Sequence, residues 1–287
     1  AFGAGGRSWL NFNGFTPNTL ERLDRLIGHG AVPKAIAVCP DGWTRLGGSQ
    51  WVNSAATGRY ADFLGRDVVG AVDAAFRTRA RASARAVMGT SSGGYGALVA
   101  AREFPDVFGH LACHSGDAYF EYCYLPDLPK AAGAFLAAGG PERWFAELER
   151  RAQETQMRGG DHAVLNALAM AAAYSPRPGV PLNLELPFDE QTARIRPEIW
   201  EQWLAHDPVR FIPQYADRFR RLQTVFVDCG TQDEFNLRWG ARIVAGALRE
   251  AGGSVTHEEF QDGHRGVAYR HERSLTLLLN RMTSVEA

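Results

Sequence analysis

The 287-residue chain reads as an α/β protein on a doubly wound, mostly parallel sheet, and three observations carry that expectation. Short apolar runs alternate with helical stripes, as buried strands and their covering helices do. Two of the runs, Ala86-Val87-Met88 and Thr224 to Val227, break into polar, glycine-containing turns, where such a sheet gathers its functional groups. The length suits one large α/β domain, or a domain carrying an insertion, with a sizeable core.

Along the chain, Leu20, Leu23, Leu26 and Ile27 form a helical stripe over 18–27, ended by Gly28 and Gly30. Ala35-Ile36-Ala37-Val38-Cys39 is apolar throughout and predicts a strand covered on both faces. A turn at Pro40-Asp41-Gly42 and a polar loop through Gly47-Gly48-Ser49-Gln50-Trp51 follow, and then Leu64, Val68, Val72 and Phe76 recur at helical spacing. A strand at Ala86-Val87-Met88, a small-residue helix ending before Pro105 and a strand around Leu111-Ala112-Cys113 continue the alternation.

From about Tyr122 to Arg218 the rhythm changes. Helical pieces over 144–157 and 162–174 alternate with a stretch holding Pro176, Pro178, Pro181 and Pro187, and no strand–helix unit is evident. The chain therefore divides into a first core part (1–121), a helical cap inserted between sheet strands and roofing the functional site (122–218), and a second core part (219–287). Trp200 and Trp203 read as packing residues of the cap. Strands at Thr224 to Asp228 and Val255 to Phe260 complete the sheet.

Composition excludes several roles. A net charge of −1 and a pI near 6.8 give no electrostatic case for nucleic acid or an acidic membrane. Lys34 and Lys130 are the only lysines, a bias that fits genome composition better than a binding task. No apolar run reaches the length of a membrane span, and no charged-then-apolar leader is visible. Cys39, Cys113, Cys123 and Cys229 show no paired or metal-ligand spacing, so reduced, buried thiols, no metal site and a cytoplasmic location are expected.

The chemistry concentrates at Gly89-Thr90-Ser91-Ser92-Gly93, a G-x-S-x-G pattern between the strand at Ala86 and the helix of Gly94, Gly96, Ala97, Leu98 and Val99. A strand turning sharply into a helix exposes the middle serine, and glycines on both sides avoid clashes with neighbouring backbone. A carboxylate, Asp233, follows the strand at Thr224, and His264, flanked by Gly263 and Gly266, follows the last strand. The order Ser, Asp, His is that of an α/β-hydrolase.

In that reading Ser91 is the nucleophile, His264 the general base and Asp233 the group that fixes the imidazole, with the Ser92 N–H as one oxyanion donor. A phosphate-cradling turn is the rival reading, but the P-loop lysine is lacking. Ser92 is a rival nucleophile without glycines two residues away on both sides. Asp228 is a rival acid that directly ends its strand, whereas Asp233 lies far enough past it to reach back. His114, in Cys113-His114-Ser115-Gly116-Asp117, also follows a strand and is a candidate for the same pocket.

These motifs resemble the putative-esterase branch of the α/β-hydrolases, which includes S-formylglutathione hydrolases, enterobactin-type esterases, feruloyl esterases and mycolyltransferases. The resemblance rests on Gly48-Ser49-Gln50-Trp51-Val52-Asn53-Ser54, Gly89 to Ala97, His114 to Asp117, Asp228 to Asp233 and Gly263-His264, and spans nearly the whole chain. It implies a serine carboxylic-ester hydrolase acting through an acyl-enzyme on a small-molecule ester, with no metal or organic cofactor. Its triad positions fall on Ser91, Asp233 and His264, and Gln50, Trp51, His114 and Asp117 become pocket candidates. An acyltransferase with the same triad and a silent binding protein are the alternatives.

Ala1-Phe2-Gly3-Ala4-Gly5-Gly6 resembles the family's glycine-rich oxyanion loop, which makes the Phe2 N–H the second oxyanion donor. In the family, antiparallel strands and a central strand come ahead of that loop. The expectation is therefore that residues upstream of Ala1 complete the sheet, on a separate N-terminal polypeptide segment produced by proteolytic nicking or by omission from this chain.

Overall fold

Strands form the centre of the fold, those in the middle of the sheet buried along their whole length. Four of them, β1 (Ala86–Thr90), β2 (His110–His114), β3 (Thr224–Gly230) and β4 (Val255–Phe260), pair in that order and all in parallel. They belong to a computed structural model that describes residues 15–153 and 158–284, the side chains of 283 and 284 excepted.

The alternation of side chains along the strands sorts the core into two layers. Leu111, Cys113, Val225, Val227 and Cys229 pack on one face of the sheet. Their partners come from α2 (Ser92–Glu103) and α4 (Leu237–Glu250), through residues such as Leu98 and Val244. Ala112 and Phe226 point to the other face, against Leu278 of α5 (His271–Ser284). Beyond α5 lies α1 (Thr19–Gly28), whose Leu23 meets Leu275 and Leu279. The start of α1 is fixed by a capping box: the Asn18 side chain accepts from the Glu21 N–H, and the Glu21 carboxylate accepts from the Asn18 N–H.

Between β2 and β3 the chain is helical. Leu128–Ala138, Pro141–Ala152, α3 (Asp161–Tyr174), Pro197–Leu204 and Pro208–Gln214 are its main pieces, and none of the described residues there joins the four-stranded sheet. The large side chains of this stretch, Phe135, Phe188 and Trp203, are fully buried in the same core as the α2 face of the sheet. The helix expected over 144–157 ends at Ala152, and its last four positions lie outside the described residues.

One expected strand is absent. Ala35 to Cys39 is irregular, and Ile36 and Val38 are about half exposed, at 50% and 47%. An apolar run becomes a strand only where a neighbour takes up its backbone hydrogen bonds. Among the described residues β1 is an edge strand, and this segment faces it across a cleft without pairing. Cys39 is consequently exposed, while Cys113, Cys123 and Cys229 are buried free thiols as expected.

Candidate active site

The turn out of β1 creates the site. Ser91 lies between β1 and α2 at φ 58° and ψ −126°, a left-handed conformation that a residue with a Cβ rarely adopts. Its N–H donates to the His114 carbonyl (2.9 Å), and its own carbonyl accepts from the Tyr95 N–H (2.9 Å). The strained turn is thus tied to β2 on one side and to α2 on the other.

The flanking glycines differ in what they permit. A Cβ on Gly89 would stand 2.4 Å from the Gly93 backbone carbon, so this position needs glycine. A Cβ on Gly93 would meet nothing within 4 Å. The expectation that both would clash therefore holds for one of them: the crowding comes from Gly93 backbone folding over Gly89. Ser92 opens α2, and its N–H is among the first-turn donors that a helix leaves without an intrahelical acceptor.

His264 and Asp233 come to this turn from the ends of β4 and β3. His264 Nε2 lies 3.0 Å from Ser91 Oγ, and Nδ1 lies 2.8 Å from Asp233 Oδ2. Asp233 is itself oriented: Oδ1 accepts from the Phe235 N–H (2.9 Å) and the Leu237 N–H (3.4 Å) at the start of α4. The close fit of the two loops depends on Gly230, whose Cβ would stand 2.3 Å from the Asp262 carbonyl oxygen. Two further contacts hold His264, neither of them singled out by the sequence. The Glu234 carboxylate accepts from the His264 backbone N–H (2.7 Å), and the Phe235 ring stands edge-on to the imidazole at 4.8 Å. Glu234 sits beside Asp233 in the same acidic turn, the one sequence signal that could have flagged it.

Asp228, the rival acid, is engaged elsewhere. Its Oδ1 lies 2.7 Å from His114 Nδ1, and its Oδ2 accepts from Arg270 Nε (2.9 Å). His114 Nε2 is in turn 2.8 Å from Ser274 Oγ, and Ser115 Oγ turns to the Cys229 sulfur. His114, Ser115 and Asp228 are each 1% exposed. With both ring nitrogens occupied and no opening, this group ties β2, β3 and α5 together and has no route to a ligand. His271 makes a similar tie, its ring bridging Thr90 Oγ1 (2.8 Å) beside Ser91 and Thr19 Oγ1 (2.7 Å) on α1.

A cleft of about 1960 Å³ opens over Ser91 and His264 and runs along the free edge of β1. Of the pocket candidates, Trp51 and Asp117 line it. A Cβ on Gly96 would fall 2.1 Å from Trp51 Cδ1, so the absence of a side chain there lets the indole lie on α2. Gln50 lies behind the wall, 1% exposed, and His114 lies beneath the sheet end, away from the cleft. Phe2 falls outside the described residues. His162 and Asn166 of α3 also line the cleft, and sequence reading passed over both. Among the described residues no His, Cys, Asp and Glu cluster could hold a metal ion, and no helix is long and apolar enough to cross a membrane.

Chemically, a hydroxyl, an imidazole and an oriented carboxylate in series can pass a proton from oxygen to ring nitrogen while the carboxylate balances the charge that develops. Residues 18–272 match the family model described as Putative esterase. Among solved structures, a ferulic acid esterase superposes with a TM-score of 0.55 at 16% identity, over 91% of this chain and 76% of that one. The enterobactin esterase FES from Shigella flexneri gives 0.48 at 14% identity, over 98% of this chain and 52% of that one. FphF, a fluorophosphonate-binding serine hydrolase of Staphylococcus aureus, gives 0.47 at 15%, over 81% and 68%. At 16% identity the likeness to the ferulic acid esterase is one of fold alone. No curated protein matches the sequence.

Proposed function

The chain belongs to the esterase family, and from that premise we propose that it is a serine carboxylic-ester hydrolase working through an acyl-enzyme. The observation that carries this reading is the 3.0 Å approach of His264 Nε2 to Ser91 Oγ, with Asp233 at 2.8 Å on the other ring nitrogen.

Ser91 Oγ attacks the ester carbonyl carbon as His264 takes its proton, and the imidazolium is stabilised by Asp233. The carbonyl oxygen, now negative, takes the Ser92 N–H, with the Phe2 N–H as the second donor that the family resemblance implies. His264 returns the proton to the departing alcohol, leaving Ser91 acylated. Water, deprotonated by the same histidine, then releases the acid. The helical residues 122–218 act as a cap that shapes the cleft, with Trp51 and Asp117 on its wall. Two finer points belong to the same proposal. A further strand pairs along the edge of β1 that no described residue occupies. A cytoplasmic location is the second, and the four unpaired thiols support it.

Stopped-flow hydrolysis of p-nitrophenyl esters tests the mechanism. A burst of p-nitrophenol equal to the enzyme concentration, followed by slower turnover, is expected of an acyl-enzyme. Added alcohols that divert the acyl group from water would redefine the activity as acyl transfer. Turnover that survives Ser91→Ala would overturn the proposal. Hydrogen exchange tests the strand: slow exchange of the β1 amides that point away from β2 is expected, and fast exchange in active protein overturns that point.

A further inference from the structure

The wall of the cleft carries a polar group that the proposed chemistry does not use. Asp117 is 6% exposed, and no described Lys, Arg or His forms an ion pair with it. Its Oδ2 accepts from Gln50 Nε2 (2.9 Å) and from the Tyr124 hydroxyl (2.9 Å). Two donors on one oxygen suit a carboxylate, which only accepts. Burial and the neighbouring Asp117 charge push the Tyr124 phenol well above its ordinary range, so it stays a donor. Asp117 Oδ1 takes no hydrogen bond from a described residue, and Asp117 lines the cleft.

The surroundings hold this carboxylate in place at a cost. Gln50 and Trp51 are consecutive non-glycine residues at φ 53° and 55°, strain that turns one side chain inward to Asp117 and the other onto the cleft. On α3, His162, Asn166, Met170 and Tyr174 recur every fourth residue and so share a face. Its far half braces Gln50, through Met170 Sδ (3.2 Å) and the Tyr174 hydroxyl (3.2 Å) from Nε2. Its near half presents Asn166 to the cleft, half-buried, with no hydrogen bond from its side chain to a described residue. A buried carboxylate without a cation, on the same cleft as an unused amide, is an arrangement that a hydrogen-bond donor entering the cleft stabilises.

Resting on the esterase reading above, we propose that Asp117 and Asn166 form a subsite for a hydrogen-bond donor on the acyl chain. The preferred substrates are then esters bearing a hydroxyl or ammonium group remote from the scissile bond. The trial compares p-nitrophenyl esters of straight-chain acids ended by methyl, hydroxyl or ammonium, at several chain lengths. At the best length kcat/KM for a donor-ended ester exceeds that of its methyl-ended isostere by about tenfold or more, since a site built for a donor is left unpaired by the analogue.

Preference for both donors supports a neutral hydrogen bond as sufficient, and preference for ammonium alone supports the same subsite with charge required. Asp117→Asn and Asn166→Leu each lower the ratio, whereas a merely structural role would change all three esters by one factor. Methyl-ended esters hydrolysed with no donor preference at any length overturn the subsite and leave the esterase standing. Folded variants that keep the wild-type ratio overturn it too. Failure of every ester, with no labelling of Ser91 by a fluorophosphonate, overturns the esterase reading and the subsite with it.

Discussion

Acid is expected to loosen the strand that carries Ser91, and the weak point is His271. Its ring sits between the hydroxyls of Thr90 and Thr19 and 4.8 Å from the His114 ring, while the adjacent Glu272 is paired with Arg22 and Arg25. Burial, helped by His114 and Arg22, pushes the imidazole down to about 3. In the unfolded chain a histidine takes its proton near pH ~6.5. The contribution is therefore fully present above about pH 6.5 and is lost on acidification, because only the unfolded chain gains the proton. The slope is about 1.4 kcal/mol per pH unit, so moving from about pH 7 to about pH 5 removes about 2 kcal/mol.

His206, which burial lowers to about 4, adds a loss of the same sign, so the measurement is a difference. Urea unfolding of wild type and His271→Gln at the two pH values isolates it. The wild type should lose about 2 kcal/mol more than the variant between them, whatever the variant's stability at neutral pH. Equal losses would refute the buried, neutral His271.

Gly89→Ala drives a Cβ into Gly93 backbone and should cost about 1–3 kcal/mol as overpacking, with loss of ester turnover, whereas Gly93→Ala is tolerated. Thermal melts that rank the two the other way would contradict this account of the turn. Asp233→Asn should lower kcat by about 10⁴-fold with KM little changed, because an amide selects the wrong imidazole tautomer. Asp228→Asn, acting on the buried tie to His114 and Arg270, should instead show chiefly in the melting temperature. A thiol reagent should modify Cys39 alone in the native protein and all four cysteines in denaturant. Native reaction at Cys113, whose thiol burial pushes up to about 12, would place the β2 core wrongly.

Much of this was legible where one residue type answers to one physical demand. β4 spans the residues its pattern marked, because Val255 to Phe260 finds a ladder partner in β3. Asp233 was separable from Asp228 by its distance past the strand, and the two carboxylates do face different histidines. Ala35 to Cys39 misled because apolarity signals burial, while a strand also needs a neighbour, which the pattern cannot show. His114 misled because a position at the end of β2 is compatible with either side of the sheet end, and which side depends on Asp228 and Ser274 far along the chain. Asn166 and Glu234 were hidden for the same reason: their significance lies in partners brought close only by folding.

Intact-mass spectrometry of the native protein before and after treatment with a fluorophosphonate, followed by peptide mapping, bears most directly on the central claim. One adduct per chain, mapped to Ser91 and lost in His264→Ala, is the predicted result. A folded protein that takes no adduct, or takes it on Ser92 or Ser115, would contradict the account.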